Sequence, residues 1–315
     1  MPLPTNGEAA WAFFPLYPLI TAALQSFLSL SPDTALMIVS NVAALAAGFL
    51  AAKILRNRDA LIAFCVILYS GPFSFYFATG YTEALFLALT LACFLFLSKR
   101  QYVIVGILAA LLSATRTVGV MMTIAILVAA LQDHLRQGRS IRSFPVAALQ
   151  NPQLVLGLAL APLGLFLYMS YLHYLVGDAL AFSHVQRAWG REMGNPLVIL
   201  VSALKTKDLA QFFQAGEFSE RWCALWTVIG LALTGYLVWL RRLPEAVFAL
   251  LAILIPLSTH VVSMPRYVIG LAPLLIVASQ LIAARKISMI ISLPLLVLSN
   301  IPLLVLWNSS ASGLI

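Results

Sequence analysis

Long apolar runs dominate this chain, and short polar breaks divide them at near-regular intervals. A hydrocarbon core of about 30 Å needs about 20 apolar residues per helix, and run after run approaches that length. The pattern predicts crossings at 33–55, 60–78, 81–98, 102–115, 117–131, 152–175, 221–240, 244–260, 267–284 and 287–307. The weakest stretch is 102–131. At 1.5 Å per residue its first part reaches only about 21 Å, so either two short helices meet near Arg116 or one tilted helix runs through it. Two short helices keep every later basic loop on one side, and irregular backbone at membrane depth is tolerated where it lines a cavity.

The polar breaks are sorted by charge. Lys53, Arg56 and Arg58, then Lys99 and Arg100, then Arg136, Arg139 and Arg142, then Arg241 and Arg242, then Arg285 and Lys286 all fall on alternate loops. That is the distribution expected of cytoplasmic loops. The net charge of +8 is therefore a topology signal, and no nucleic-acid partner is implied. With 62% hydrophobic and 10% charged residues, the fold class is all-α: a polytopic membrane helix bundle of about ten transmembrane helices, read as one domain over 1–315. Within it, 1–32 reads as an outer-side interfacial segment and 176–220 as an outer-side loop. Nothing in 1–32 resembles a signal peptide. A chain that starts on the outer side without one reads as lacking an upstream crossing, through truncation or a late start.

Threading places three ionisable residues on the outer side: Glu83 in GYTEALF, Arg116 in SATRTVGV and Arg266 in SMPRYVIG. Charges at membrane depth cost several kcal/mol (about 2.5–3.5 on insertion scales) and commonly mark a site. One carboxylate with two guanidiniums suits an anionic, membrane-borne substrate. Each also has a plainer explanation: Glu83 as a helix-opening acid, Arg116 and Arg266 as snorkelling side chains, Tyr267 as a belt aromatic. The loop 182–196 adds Gln186 and Trp189, suited to sugar contacts but equally ordinary in an exposed loop. Cys65, Cys93 and Cys223 read as packing residues, and the histidines show no metal-ligand spacing.

Four blocks, AFFPLYPLI (12–20), GYTEALFLALTL (80–91), SATRTVGV (113–120) and MPRYVIGLAP (264–273), resemble in order landmarks of the PIG-V mannosyltransferases, of the GT-C class. The resemblance implies a polyprenyl- or dolichyl-phosphate-mannose donor, a glycolipid or envelope-glycan acceptor and inverting transfer on the outer side. Read from their own chemistry, Glu83 is a candidate catalytic carboxylate, Arg116 and Arg266 are candidate donor-phosphate ligands, and Tyr81, Gln186, Trp189 and Tyr267 are candidate substrate contacts. Family members carry a Trp-Asp pair upstream of the Phe-Phe-Pro block, and this sequence has no such Asp before Phe13. With a single phosphate leaving, arginines can supply the countercharge, so no cofactor or metal is expected. The expected location is a bacterial inner membrane, or the endoplasmic reticulum membrane in a eukaryotic host. Two other readings stay open: a lipid-linked-sugar transporter, and an inactive homologue serving as a partner subunit.

Overall fold

The computed structural model describes residues 10–189, 193–206 and 219–309, and among them every regular element is helical. In chain order these are α1 (Leu16–Leu28), α2 (Pro32–Ile54), α3 (Arg58–Ser70), α4 (Phe75–Ala78), α5 (Glu83–Leu97), α6 (Tyr102–Ser113), α7 (Met122–Arg136), α8 (Phe144–Leu149) and α9 (Pro152–Leu160). They continue as α10 (Leu163–Val176), α11 (Ala181–His184), α12 (Pro196–Lys205), α13 (Glu220–Trp239), α14 (Leu243–Leu257), α15 (Met264–Ile269), α16 (Ala272–Ala283) and α17 (Lys286–Ser309). Several starts are written locally. Ser31 caps α2 by accepting from Thr34 N at 3.3 Å with Pro32 behind it, and Asn151 caps α9 by accepting from Leu154 N at 3.1 Å.

Among the described residues, five stretches are long and apolar enough to cross a membrane alone: Pro32–Ile54, Thr117–Arg136, Pro152–Val176, Glu220–Trp239 and Lys286–Val305. Six further apolar helices among the described residues are shorter, at 10–17 residues. At 15 residues α5 rises only about 22 Å, so its ends lie within protein and its backbone must be satisfied there. It packs on α2, α6 and α16 and buries Glu83, Thr90 and most of its apolar residues. By contrast α17 leaves Ile287, Ile290, Leu295 and Val305 exposed, the profile of a lipid-facing helix.

The expected spans shift where local chemistry intervenes. The span 60–78 stops as a helix at Ser70, because Gly71 and Pro72 interrupt it and Phe73 takes a left-handed turn (φ 62°). The span 267–284 divides at Gly270–Leu271, leaving Arg266 in the short α15. The stretch 102–131 does break at Arg116, whose backbone is extended (φ −155°, ψ 147°) between α6 and a 3-10 segment, Thr117–Met121. The rival single helix is thereby excluded. Close packing holds the neighbouring helices: a Cβ at Gly106 would lie 2.6 Å from Gly157 O, and one at Gly157 would lie 2.4 Å from Tyr102 O. Small residues permit this α6–α9 approach.

Side-chain bridges identify the two ends of the bundle. Arg100 Nε pairs with Asp133 Oδ2 at 2.8 Å, Gln132 donates to Arg241 O at 2.6 Å, and Arg242 reaches Glu245 at 3.1 Å and Gln280 at 3.4 Å. These contacts gather the basic loops after α5, α7 and α13 at one end. At the other end Ser40 of α2 donates to Thr79 O at 2.6 Å, beside the start of α5. Here α1 lies across α2, with Tyr17 Oη donating to Leu36 O at 2.9 Å. Leu19 and Phe27 of α1 stay exposed, the profile of an interfacial helix. A second apolar cluster joins Phe14 of the Phe-Phe-Pro block to Tyr168, Leu172 and Phe182, with Tyr168 Oη donating to Trp11 O at 2.6 Å.

Candidate functional site

Glu83, Arg116 and Arg266, far apart in sequence, converge at the non-basic end of the bundle. Three chain breaks deliver them. Glu83 is the first residue of α5, after the Gly80–Thr82 bend. Arg116 is the extended residue between α6 and the following 3-10 turn, and Arg266 follows Pro265 in the first turn of α15. The turn after Arg116 folds back tightly on α6. A Cβ at Gly119 would sit 2.3 Å from Leu112 O, so only glycine permits this return.

Both guanidiniums address one oxygen. Arg116 Nη2 donates a short hydrogen bond to Glu83 Oε1, and Arg266 Nε lies 3.0 Å from the same atom. The Arg266 N–H is not aligned on that oxygen, so the contact is an ion pair rather than a directed hydrogen bond. Arg116 Nε also donates to Thr82 Oγ1 at 2.8 Å. Glu83 is fully buried (0% exposed), and its Oε2 has no hydrogen-bond partner among the described residues. The two arginine side chains keep 15% and 17% exposure. What the triad exposes among the described residues therefore belongs to the arginine side chains, although Arg266 Nε is itself buried.

Aromatic rings wall this surface. Arg266 Cζ lies 5.6 Å from the Tyr76 ring centroid, 5.5 Å from Tyr81 and 5.3 Å from Tyr267. Arg116 Cζ lies 5.5 Å from Phe86 and 5.3 Å from Tyr267. Tyr267 thus stands between the two cations. Ring faces stabilise desolvated guanidinium by about 0.5–2 kcal/mol each without neutralising it. The formal balance is one carboxylate against two guanidiniums, a net charge of +1 in an apolar wall.

Of the sequence-predicted residues, Glu83, Arg116, Arg266, Tyr81 and Tyr267 come together. Gln186 is half-buried in the segment Val185–Trp189, its Nε2 3.5 Å from Phe182 O. That segment packs on Ala10–Ala12, while Leu16 N donates to Ala114 O at 3.0 Å beside the Arg116 break. The Trp189 side chain lies outside the described residues. His184 pairs with Asp178 at 2.7 Å, and this hydrogen bond holds the exposed Asp178 carboxyl below its ordinary range. Tyr76, Phe86 and Thr82 were not anticipated. Tyr76 sits in the aromatic run SFYFATGYTE just upstream of Glu83, the one signal that could have found it. Among the described residues no group of three His, Cys, Asp or Glu could hold a metal.

No family model and no curated protein matches the chain. Among solved structures it is similar to an archaeal oligosaccharyltransferase, AglB from Archaeoglobus fulgidus, in complex with an inhibitory peptide and a dolichol-phosphate. The overlay has 13% identity and a TM-score of 0.43, covering 96% of this chain and 48% of that one. The chain thus spans about half the length of that structure, and the overlay is too loose to transfer a residue or a role.

Proposed function

We propose that this integral membrane protein is a glycosyltransferase that draws a sugar, with mannose the expected one, from a polyprenyl- or dolichyl-phosphate donor. The acceptor is a glycolipid or envelope glycan, and the chemistry takes place at the triad end, on the side away from the basic loops. The observation that carries the reading is the charge balance. Two arginine side chains, each with a small exposed fraction, set their guanidiniums on one oxygen of a buried carboxylate, leaving one formal positive charge to meet an anion at membrane depth. Guanidinium suits phosphate oxygens because its donors are forked and its charge is permanent.

In this reading Arg116 and Arg266 bind the donor phosphate. An acceptor hydroxyl attacks the sugar C1, the bond from C1 to the phosphate oxygen breaks, and the lipid phosphate departs with the electron pair. Charge grows on that phosphate in the transition state, where preplaced cations contribute most. The hydroxyl proton is taken up by an oxygen of the departing phosphate monoester, so the step balances without a carboxylate of this chain. Sequence made Glu83 the candidate base, but this geometry favours another role. A base must come within hydrogen-bond reach of the hydroxyl, and Glu83 is enclosed beneath both arginines. We assign Glu83 as a positioning residue that holds two like charges side by side. Tyr81 and Tyr267 turn ring faces to the cations and line the approach to the sugar.

A direct test compares binding of polyprenyl phosphate and neutral polyprenol to the protein in nanodiscs. Stronger retention of the phosphate, weakened in both R116Q and R266Q, is expected. Equal retention of the two lipids by all three proteins would overturn the assignment.

A further inference from the structure

A second polar site lies at the opposite, basic end. A groove of about 280 Å³ opens between the α5–α6 connection, the end of α7 and the α8–α9 segment. This is near the lower edge of small-molecule sites, about 300–1,000 Å³. Arg100 and Arg139 line it, with Gln137, Asn151 and Gln153 offering amides. Asp133 is the one acid in its wall, and it is taken up by Arg100 at 2.8 Å. Arg139 has no ion-pair partner among the described residues, nor have the neighbouring Arg136 and Arg142.

The far wall is apolar. Phe144, Ala147 and Ala148 of α8 face the groove, while Val146 and Leu149 of the same helix are exposed at 60% and 75%. Exposed apolar residues beside unpaired arginines, at the end of a membrane bundle, are the marks of an element lying in the headgroup layer. His134 anchors the segment before α8, its Nε2 3.0 Å from Ser143 Oγ and 3.1 Å from Ser140 O.

We propose that this groove binds the phosphate headgroup of an anionic membrane lipid, with acyl chains running along the exposed face of α8. The unpaired Arg139 and the exposed Arg100 grip the phosphate, and the amides of Gln137 and Gln153 meet its glycerol oxygens. The site is independent of the triad and of the reaction proposed for it. Juxtamembrane arginines attract anionic lipid by about 1 kcal/mol each, which sets the size of the expected effect.

The test titrates the purified protein in detergent with phosphatidylglycerol, phosphatidylcholine or inorganic phosphate and follows the thermal midpoint. Phosphatidylglycerol is expected to raise the midpoint, and the other two are not. The half-maximal lipid concentration should rise about thirtyfold in R100Q/R139Q and stay unchanged in R56Q/R58Q, which removes equal charge from another loop at this end. Because Arg139 has no ion-pair partner to lose among the described residues, R139Q alone should weaken the response without lowering the lipid-free midpoint. Equal weakening by both double variants would reduce the effect to general surface charge and overturn the site. A matching shift from inorganic phosphate would overturn the lipid as its ligand.

Discussion

Glu83 binds its two partners through one oxygen, and that geometry makes the residue-scale predictions sharp. Removing one member of a buried ion pair leaves uncompensated charge, at about 3–5 kcal/mol. E83Q should therefore lower the thermal midpoint markedly, whereas E83Q combined with R266Q should recover part of the loss. Additive losses in that double-mutant cycle would show that the three charges do not act as a unit. For turnover, R116Q and R266Q should each reduce transfer about 10²–10³-fold, with R266K recovering little because a lysine lacks the planar fork that three tyrosine rings hold. The triad was legible in the sequence because ionisable residues stand out against apolar spans. Its shared oxygen was not, since that depends on how three breaks from distant segments meet. Tyr76 and Phe86 were hidden for a different reason: an aromatic in an aromatic-rich span looks like core until a cation is found above it.

Among the elements, the informative ones are the interrupted helices. Periodicity and length located α2, α13 and α17 well, because a full-length apolar helix is set by the membrane itself. It placed α3, α4, α15 and α16 less well. Pro72, Gly270 and Pro273 end or restart helices that hydropathy alone runs together. The break at Arg116 was anticipated from shortness, yet its tightness follows from Gly119. Replacing Gly119 with Ala puts a methyl against Leu112 O, and either the 3-10 turn or α6 must shift. A loss of about 1–3 kcal/mol is expected by analogy with overpacked cores, together with reduced transfer, because the same turn aims Arg116. Wild-type stability and activity in G119A would show that the turn has slack which the close contact conceals.

At the scale of the whole molecule, the two ends carry different charges for different reasons. The basic loops cluster by side-chain contact as well as by sequence, through the Arg100–Asp133 and Gln132–Arg241 bridges. By the positive-inside rule the triad end would then face outward, the orientation proposed above. Single cysteines introduced as Arg139→Cys and Asp178→Cys, in a background without Cys65, Cys93 and Cys223, should react with an impermeant maleimide from opposite sides of the membrane. Labelling of both from one side would refute the ten-crossing thread. The central claim concerns chemistry at the outer face, and the measurement that addresses it most directly is sugar transfer in proteoliposomes. Purified protein would be supplied with radiolabelled polyprenyl-phosphate mannose and a glycolipid acceptor, beside R116Q and R266Q. The account predicts labelled acceptor with the wild type and a drop of about two orders of magnitude or more in either variant. Equal transfer in all three proteins would contradict it.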